Sequence, residues 1–276
     1  MFAWLARLLQ FSHAARIEQD PAAPLKKPLA GAIADLPDPR DASYAVSAAA
    51  ILPKSASVVE YASSVKSQGA ANSCVAHAAG LLYEIELRKK GYDFDVSEGQ
   101  LYYDGRIESG LFPQDAGMYP RDVLKIMKGK GVIAEKLHSY NVLQLNAVPT
   151  ALARSFQYFF RIKAYYNTAT IEGVKTELAD GHALMFDTPV YNTLRTAWQD
   201  VNLPPSNSRP SGRHEMTVIA YDDERDNLDG TKGAFLIQNS WDTTWGFRGR
   251  SWMPYSWFTT KLPGNMFPIV FYSMRI

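Results

Sequence analysis

A segregated α+β fold with two lobes is what this sequence predicts, and three observations predict it. Apolar residues recur at helical spacing in the first half, at Val75, Ala78, Ala79, Leu82 and Ile85 and again at Val123, Leu124, Ile126 and Met127. Beyond His182 the apolar residues run together instead, with β-branched members among them. Clusters of Gly, Pro, Asn and Asp separate those runs, as turns between strands require. Helices first and strands afterwards give an antiparallel β-rich C-terminal lobe packed beside a helical N-terminal lobe.

Taken in order, residues 1–17 are mildly amphipathic, with Phe2, Trp4, Leu5, Leu8, Leu9 and Phe11 interrupted by Arg7. A short helix packed on the body is the preferred reading over a secretory signal, since no small-x-small cleavage site follows. Residues 18–53 are rich in Pro, Ala and Asp, and proline restricts both itself and its predecessor, so an extended arm is expected. Residues 1–55 therefore form an N-terminal extension and residues 56–276 the main domain, helical over about 56–150 and β-rich over about 151–276. The first helix opens after Asn72 or Ser73, whose side-chain oxygens suit the free amides of a helix start. Arg88, Lys89 and Lys90 lie in its last turn, where the dipole favours cations, and Gly91 closes it. Further helices are expected over residues 120–130 and 171–179. Strands are expected over residues 157–166, 183–190, 214–221 and 233–238.

Composition narrows the function. The 276 residues carry a formal net charge of +1 and no basic block, which argues against nucleic acid as the main partner. No apolar run approaches the ~20 residues needed to cross a bilayer, so no stable membrane insertion is expected. The single cysteine rules out an intramolecular disulfide and favours a cytoplasmic site, with export as an effector left open. A monomer is expected, with no cofactor and no metal. A lone cysteine is by default an inert buried thiol, so its neighbours must argue otherwise.

They do. Cys74 falls in the first turn of the first helix, where unpaired amides and a partial positive charge stabilise a thiolate. The same geometry aims the Cys74 amide at a developing oxyanion. Gln68, six residues upstream, offers a side-chain amide as a second donor, a group worth about 10²–10³ in rate.

The segment Gln68-Gly69-Ala70-Ala71-Asn72-Ser73-Cys74 resembles the active-site loop of the papain-like cysteine peptidases, in a form similar to bacterial members. Those enzymes usually carry a further Cys and Gly in this loop and a Trp after the nucleophile, where this chain has Ala70, Ala71, Asn72 and Val75. The run from Gly212 to Asp222 resembles the family's histidine strand. It places His214 about 140 residues after Cys74, within the roughly 130–150 expected for these partners. The run from Gln238 to Gly246 resembles the family's Asn-Ser-Trp-Gly segment, with Asp242 in place of the usual glycine. The resemblance implies Cys74 as nucleophile, His214 as base, Asn239 as its orienting group, Gln68 in the oxyanion hole and Trp241 covering the His214–Asn239 bond. Ser97-Glu98-Gly99-Gln100-Leu101 resembles a family helix start. Gly117-Met118-Tyr119-Pro120 resembles the loop whose backbone pairs with substrate. By position, Arg213 falls on the leaving-group side and Glu215 in a side-chain pocket that would favour a polar or basic residue. The stretch 35–41 resembles an arm of bacterial relatives. It is expected to lie along the cleft or brace the lobes from behind, and to lower activity.

The expected function is that of a cysteine endopeptidase acting on peptide or protein substrates through a thiolate–imidazolium pair and an acyl-enzyme. A transpeptidase or deamidase using the same site, and a catalytically silent binding protein of the same fold, are the alternatives.

Overall fold

The computed structural model describes residues 30–36, 38 and 51–276, so the expected amphipathic helix within residues 1–17 and most of the arm lie outside the described residues. In chain order the helices are α1 (Cys74–Lys89), α2 (Glu98–Glu108), α3 (Pro120–Gly129), α4 (Ala151–Gln157), α5 (Ile171–Ala179), α6 (Asn192–Arg195) and α7 (Ser256–Thr259). The strands are β1 (Ser55–Ser57), β2 (Ala164–Thr168), β3 (Leu184–Pro189), β4 (Arg213–Asp226), β5 (Lys232–Gln238), β6 (Arg250–Pro254) and β7 (Phe271–Arg275).

α1 is the spine. It is buried continuously from Cys74 to Leu87, because it packs on α2 and α3 on one side and on β4 on the other; a helix enclosed this way reads as apolar on every face. Neither expected side-chain cap forms. The Ser73 hydroxyl instead meets the Tyr140 hydroxyl at 2.8 Å, and the Asn72 side-chain amide donates to the Asp115 carbonyl at 2.6 Å. Both residues are drawn into holding loops around the helix start. α2 does carry its cap: Ser97 Oγ accepts from the Gln100 amide at 3.0 Å.

All strand pairings are antiparallel, in the order β2-β7-β3-β4-β5-β6, with β1 on the free stretch of β4. β4 is central and carries the site. Thr188 faces His214 and Asp187 faces Glu215 in its register with β3. The strand expected over residues 157–166 is mostly something else. α4 runs to Gln157 and a 3-10 turn covers Tyr158–Phe160. The Gln157 side chain bonds the Gly131 carbonyl at 3.0 Å, and Phe160 turns inward onto Phe94. Tertiary contacts override a run of aromatics that looks β-prone. The helical side thus continues to Phe160, ten residues past the expected boundary at position 150.

Candidate active site

Gln68, Cys74, His214, Asn239 and Trp241 are all buried where α1 meets the sheet. The first residue of α1 puts the Cys74 sulfur within reach of three backbone amides, those of Glu215, Gly31 and Val75. Because Glu215 follows His214 on β4, this contact sets the sulfur against the histidine strand.

His214 Nε2 lies 2.7 Å from Asn239 Oδ1. The same oxygen accepts from the Ser240 amide at 2.7 Å, which fixes which end of the Asn239 side chain faces the ring. Nε2–H therefore donates, and in the neutral ring the lone pair sits on Nδ1, which is buried and bonds no other group. Trp241 stacks on the imidazole with ring centroids 4.3 Å apart and 30° between planes, screening the Nε2 bond from water. Trp245 meets Trp241 edge-on at 5.9 Å and donates its Nε1–H to the Leu194 carbonyl. The other histidine nearby, His77, donates Nδ1–H to the Ser73 carbonyl at 3.0 Å and packs edge-on against Tyr140.

Gln68 is locked on both ends. Nε2 donates to the Ala71 carbonyl at 2.7 Å, and Oε1 accepts from Ser240 Oγ at 2.7 Å. A primary amide has two N–H groups, so one remains for an oxyanion. Tyr140 was not legible as a site residue. Its hydroxyl donates to the Gln68 carbonyl at 2.7 Å and meets Ser73 Oγ, so one ring braces the loop from Gln68 to the helix start. Ser240, also unforeseen, links the Gln68 and Asn239 segments; the Gln68 amide donates to its carbonyl at 2.9 Å. No sequence signal marks Tyr140, which stands 72 positions from its Gln68 acceptor.

Asp242, the departure from the glycine pattern, keeps the turn. Its φ is 70°, and its Oδ1 accepts from the Thr243 amide and from Thr243 Oγ1. Aspartate tolerates this left-handed conformation better than most residues because such local bonds offset the strain.

The arm crosses the site. Met118 N–H donates to the Gly31 carbonyl at 3.1 Å, the Ile33 amide to the Met118 carbonyl at 3.2 Å, and the Ala32 amide to the Arg213 carbonyl at 3.2 Å. Met118 lies in the loop whose backbone is expected to pair with substrate, and Arg213 directly precedes His214. Gly117 permits the approach: it holds φ at 85°, and a Cβ there would lie 2.0 Å from the Gly31 carbonyl oxygen. A Cβ on Gly31 would likewise lie 2.0 Å from the Asn72 oxygen. Downstream, Asp35 accepts from the Arg121 amide at 2.9 Å and from Tyr272 Oη at 3.0 Å. The Arg213 guanidinium pairs with Asp187 and donates to Asn265 Oδ1 at 2.7 Å.

This cover decides the protonation states. Burial pushes the Cys74 thiol up to about 12, more than the three amides pull it down. Burial lowers His214 to about 3, against the bond to Asn239 and with the cation of Arg195. With the arm in place the neutral thiol and imidazole are favoured, in place of the resting ion pair expected from sequence, because desolvation disfavours both charges.

The family model for papain family cysteine proteases matches residues 52–257. The chain belongs to the papain family of cysteine proteases, and the fold and buried Cys–His–Asn set agree with that class. Among solved structures it is similar to xylellain, a cysteine protease from Xylella fastidiosa, at 26% identity and a TM-score of 0.80, covering 92% of this chain and 98% of that one. Procathepsin B from Trypanosoma congolense shares the fold at 16% identity and a TM-score of 0.67, over 86% of this chain and 83% of that one. An uncharacterized peptidase C1-like protein of Acanthamoeba polyphaga mimivirus is 26% identical over 221 residues, 74% of this chain and 68% of the relative. No helix among the described residues is long and apolar enough to cross a membrane.

Proposed function

We propose that this protein is a latent cysteine endopeptidase that its own arm holds shut. The observation carrying this reading is the Asn239–His214 bond, which leaves Nδ1 as an unoccupied base in the same buried site as the sole sulfhydryl at a helix start.

Once the arm leaves, Nδ1 takes the Cys74 proton and the thiolate attacks the scissile carbonyl carbon. The amide of Cys74 and the spare N–H of Gln68 hold the oxyanion. Collapse breaks the C–N bond, and the imidazolium returns its proton to the departing amine. His214 then deprotonates a water that hydrolyses the thioester, releasing the acid and the thiol. Asn239 and Trp241 position the ring throughout. The docked arm offers the sulfur an amide N–H, from Gly31, and acts as a plug over the cleft.

Labelling with an epoxide thiol probe, together with hydrolysis of a peptide library, tests this. Gly31→Val should displace the arm and speed both by at least about tenfold. His214→Ala on that background should cut hydrolysis by about 10³-fold or more. Labelling confined to pH above 8, or hydrolysis indifferent to His214, would point to a silent relative.

A further inference from the structure

The oxyanion hole proposed above draws its two donors from different residues, the Cys74 amide and the Gln68 side chain. Their separation is set by the loop that joins them, residues 68–74. The loop's own main-chain tie is the Ala71 amide on the Gln68 carbonyl, a long bond at 3.3 Å. A shorter bond to that carbonyl comes from outside the loop, where Tyr140 Oη donates to it at 2.7 Å. A phenol has one hydrogen, so in the 2.8 Å contact between Tyr140 Oη and Ser73 Oγ it is Ser73 that donates. One oxygen thereby joins both ends of the loop.

The same ring also bears on the peptide that carries the Cys74 N–H. The carbonyl of that peptide belongs to Ser73, and it accepts from His77 Nδ1 at 3.0 Å and from the His77 amide at 3.2 Å. A peptide unit is planar, so holding its oxygen fixes the direction of its N–H. Tyr140 packs edge-on against the His77 ring, with centroids 4.8 Å apart. Gln68, Ser73 and His77 are all buried, which keeps water from replacing these bonds. Tyr140 is itself tethered. Its amide donates to Glu135 Oε1 at 2.8 Å, and two residues earlier the His138 carbonyl accepts from Ser97 Oγ.

We infer that Tyr140 is a positioning residue for oxyanion stabilisation, its hydroxyl and ring setting the spacing between the Gln68 and Cys74 donors. This rests on the peptidase reading. The hydroxyl touches no substrate in this role; it acts through Gln68, Ser73 and His77. Donors fixed in advance need no reorganisation as charge builds on the carbonyl oxygen, and they must be held within about 0.5 Å of the productive place for that gain. Loss of the hydroxyl should therefore slow the steps that pass through a tetrahedral intermediate and leave the thiolate itself unaltered.

The test sets two reactions of Cys74 side by side on the full-length Gly31→Val protein. Peptide hydrolysis passes through an oxyanion. Alkylation by iodoacetamide does not, since the sulfur displaces iodide from a saturated carbon. Tyr140→Phe keeps the ring against His77 and removes both hydrogen bonds of the hydroxyl. It should lower kcat/KM for a peptide by at least about tenfold, while the alkylation rate and its pH profile stay within about twofold of the parent. Ser73→Ala removes one of the two bonds and should lower the ratio of hydrolysis to alkylation by less; it supplies the reading where Tyr140→Phe does not fold. Equal losses in the two reactions, or no loss in either, overturn the inference while leaving the peptidase reading intact. A Gly31→Val parent that is alkylated but hydrolyses no peptide overturns both.

Discussion

The two walls of the cleft differ in how far they satisfy their polar groups. The helical wall closes most of its network, with Glu84 Oε2, Glu135 Oε2 and Tyr83 Oη left without a partner. Lys66 reaches Glu84 at 2.7 Å and Glu98 at 2.5 Å, two almost fully buried carboxylates, and Asp95 at the surface. Asn72 takes Asp115, Tyr102 donates to Asp115, and Tyr140 binds Gln68 and Ser73. On the sheet wall His214 Nδ1, Glu215 Oε1 and Oε2, Asn239 Nδ2 and Trp241 Nε1 are all buried without a partner. A largely satisfied network makes a rigid platform, which suits the loop proposed to aim the nucleophile and oxyanion donors. Unspent hydrogen-bonding capacity on the facing wall suits groups whose partners arrive with a ligand.

The contrast can be broken most severely at Lys66. Lys66→Met leaves Glu84 and Glu98 buried without their cation, and should cost about 3–5 kcal/mol, read as a fall in the thermal or urea midpoint. A midpoint within error of the parent would mean that the helical wall is no more settled than the other. The next lever is acidity. Burial raises Asp35 to about 6 against the opposing charge of Arg121, whereas an undocked arm titrates near 3.8. The docked arm therefore holds the extra proton between those values, and docking weakens as pH rises from about 4 to about 6. Epoxide labelling of the parent, divided by that of Asp35→Asn at each pH, should climb by about tenfold across this window. A flat ratio would detach the arm from Asp35. The smallest effect is expected at Asp242. Asp242→Gly relieves a left-handed backbone but loses the bonds to Thr243, so stability should move by about 1 kcal/mol or less in either direction, with activity retained. A large loss would show that the Asp242 carboxylate does more than shape a turn.

How far the sequence revealed each wall follows the same division. α1 was legible because its apolar spacing, terminal basic residues and Gly91 are local signals, and His214 and Asn239 stood in contiguous motifs on or beside strands. What stayed hidden depends on contacts between distant residues. Ser73 and Asn72 looked like caps, yet Tyr140 and Asp115 claim them from 67 and 43 positions away. The aromatic stretch after Gln157 looked like a strand until Gly131 and Phe94 drew it into turns. Gly31 gave no sign of its importance, since the need for a bare α-carbon arises only where Asn72 comes within van der Waals range. The ion pair of Arg213 with Asp187 was likewise hidden, because it depends on the sheet register.

On the proposal that the arm blocks the cleft, its belonging to the same chain has a kinetic consequence. Its local concentration, set by the tether, is on the order of millimolar for short connections, and dilution cannot lower it. Opening is then a first-order event whose rate is independent of how much protein a cell makes. A micromolar substrate captures only the fraction of molecules already open, so turnover should be limited by residence of the plug until cutting or unfolding of the connection makes the opening permanent.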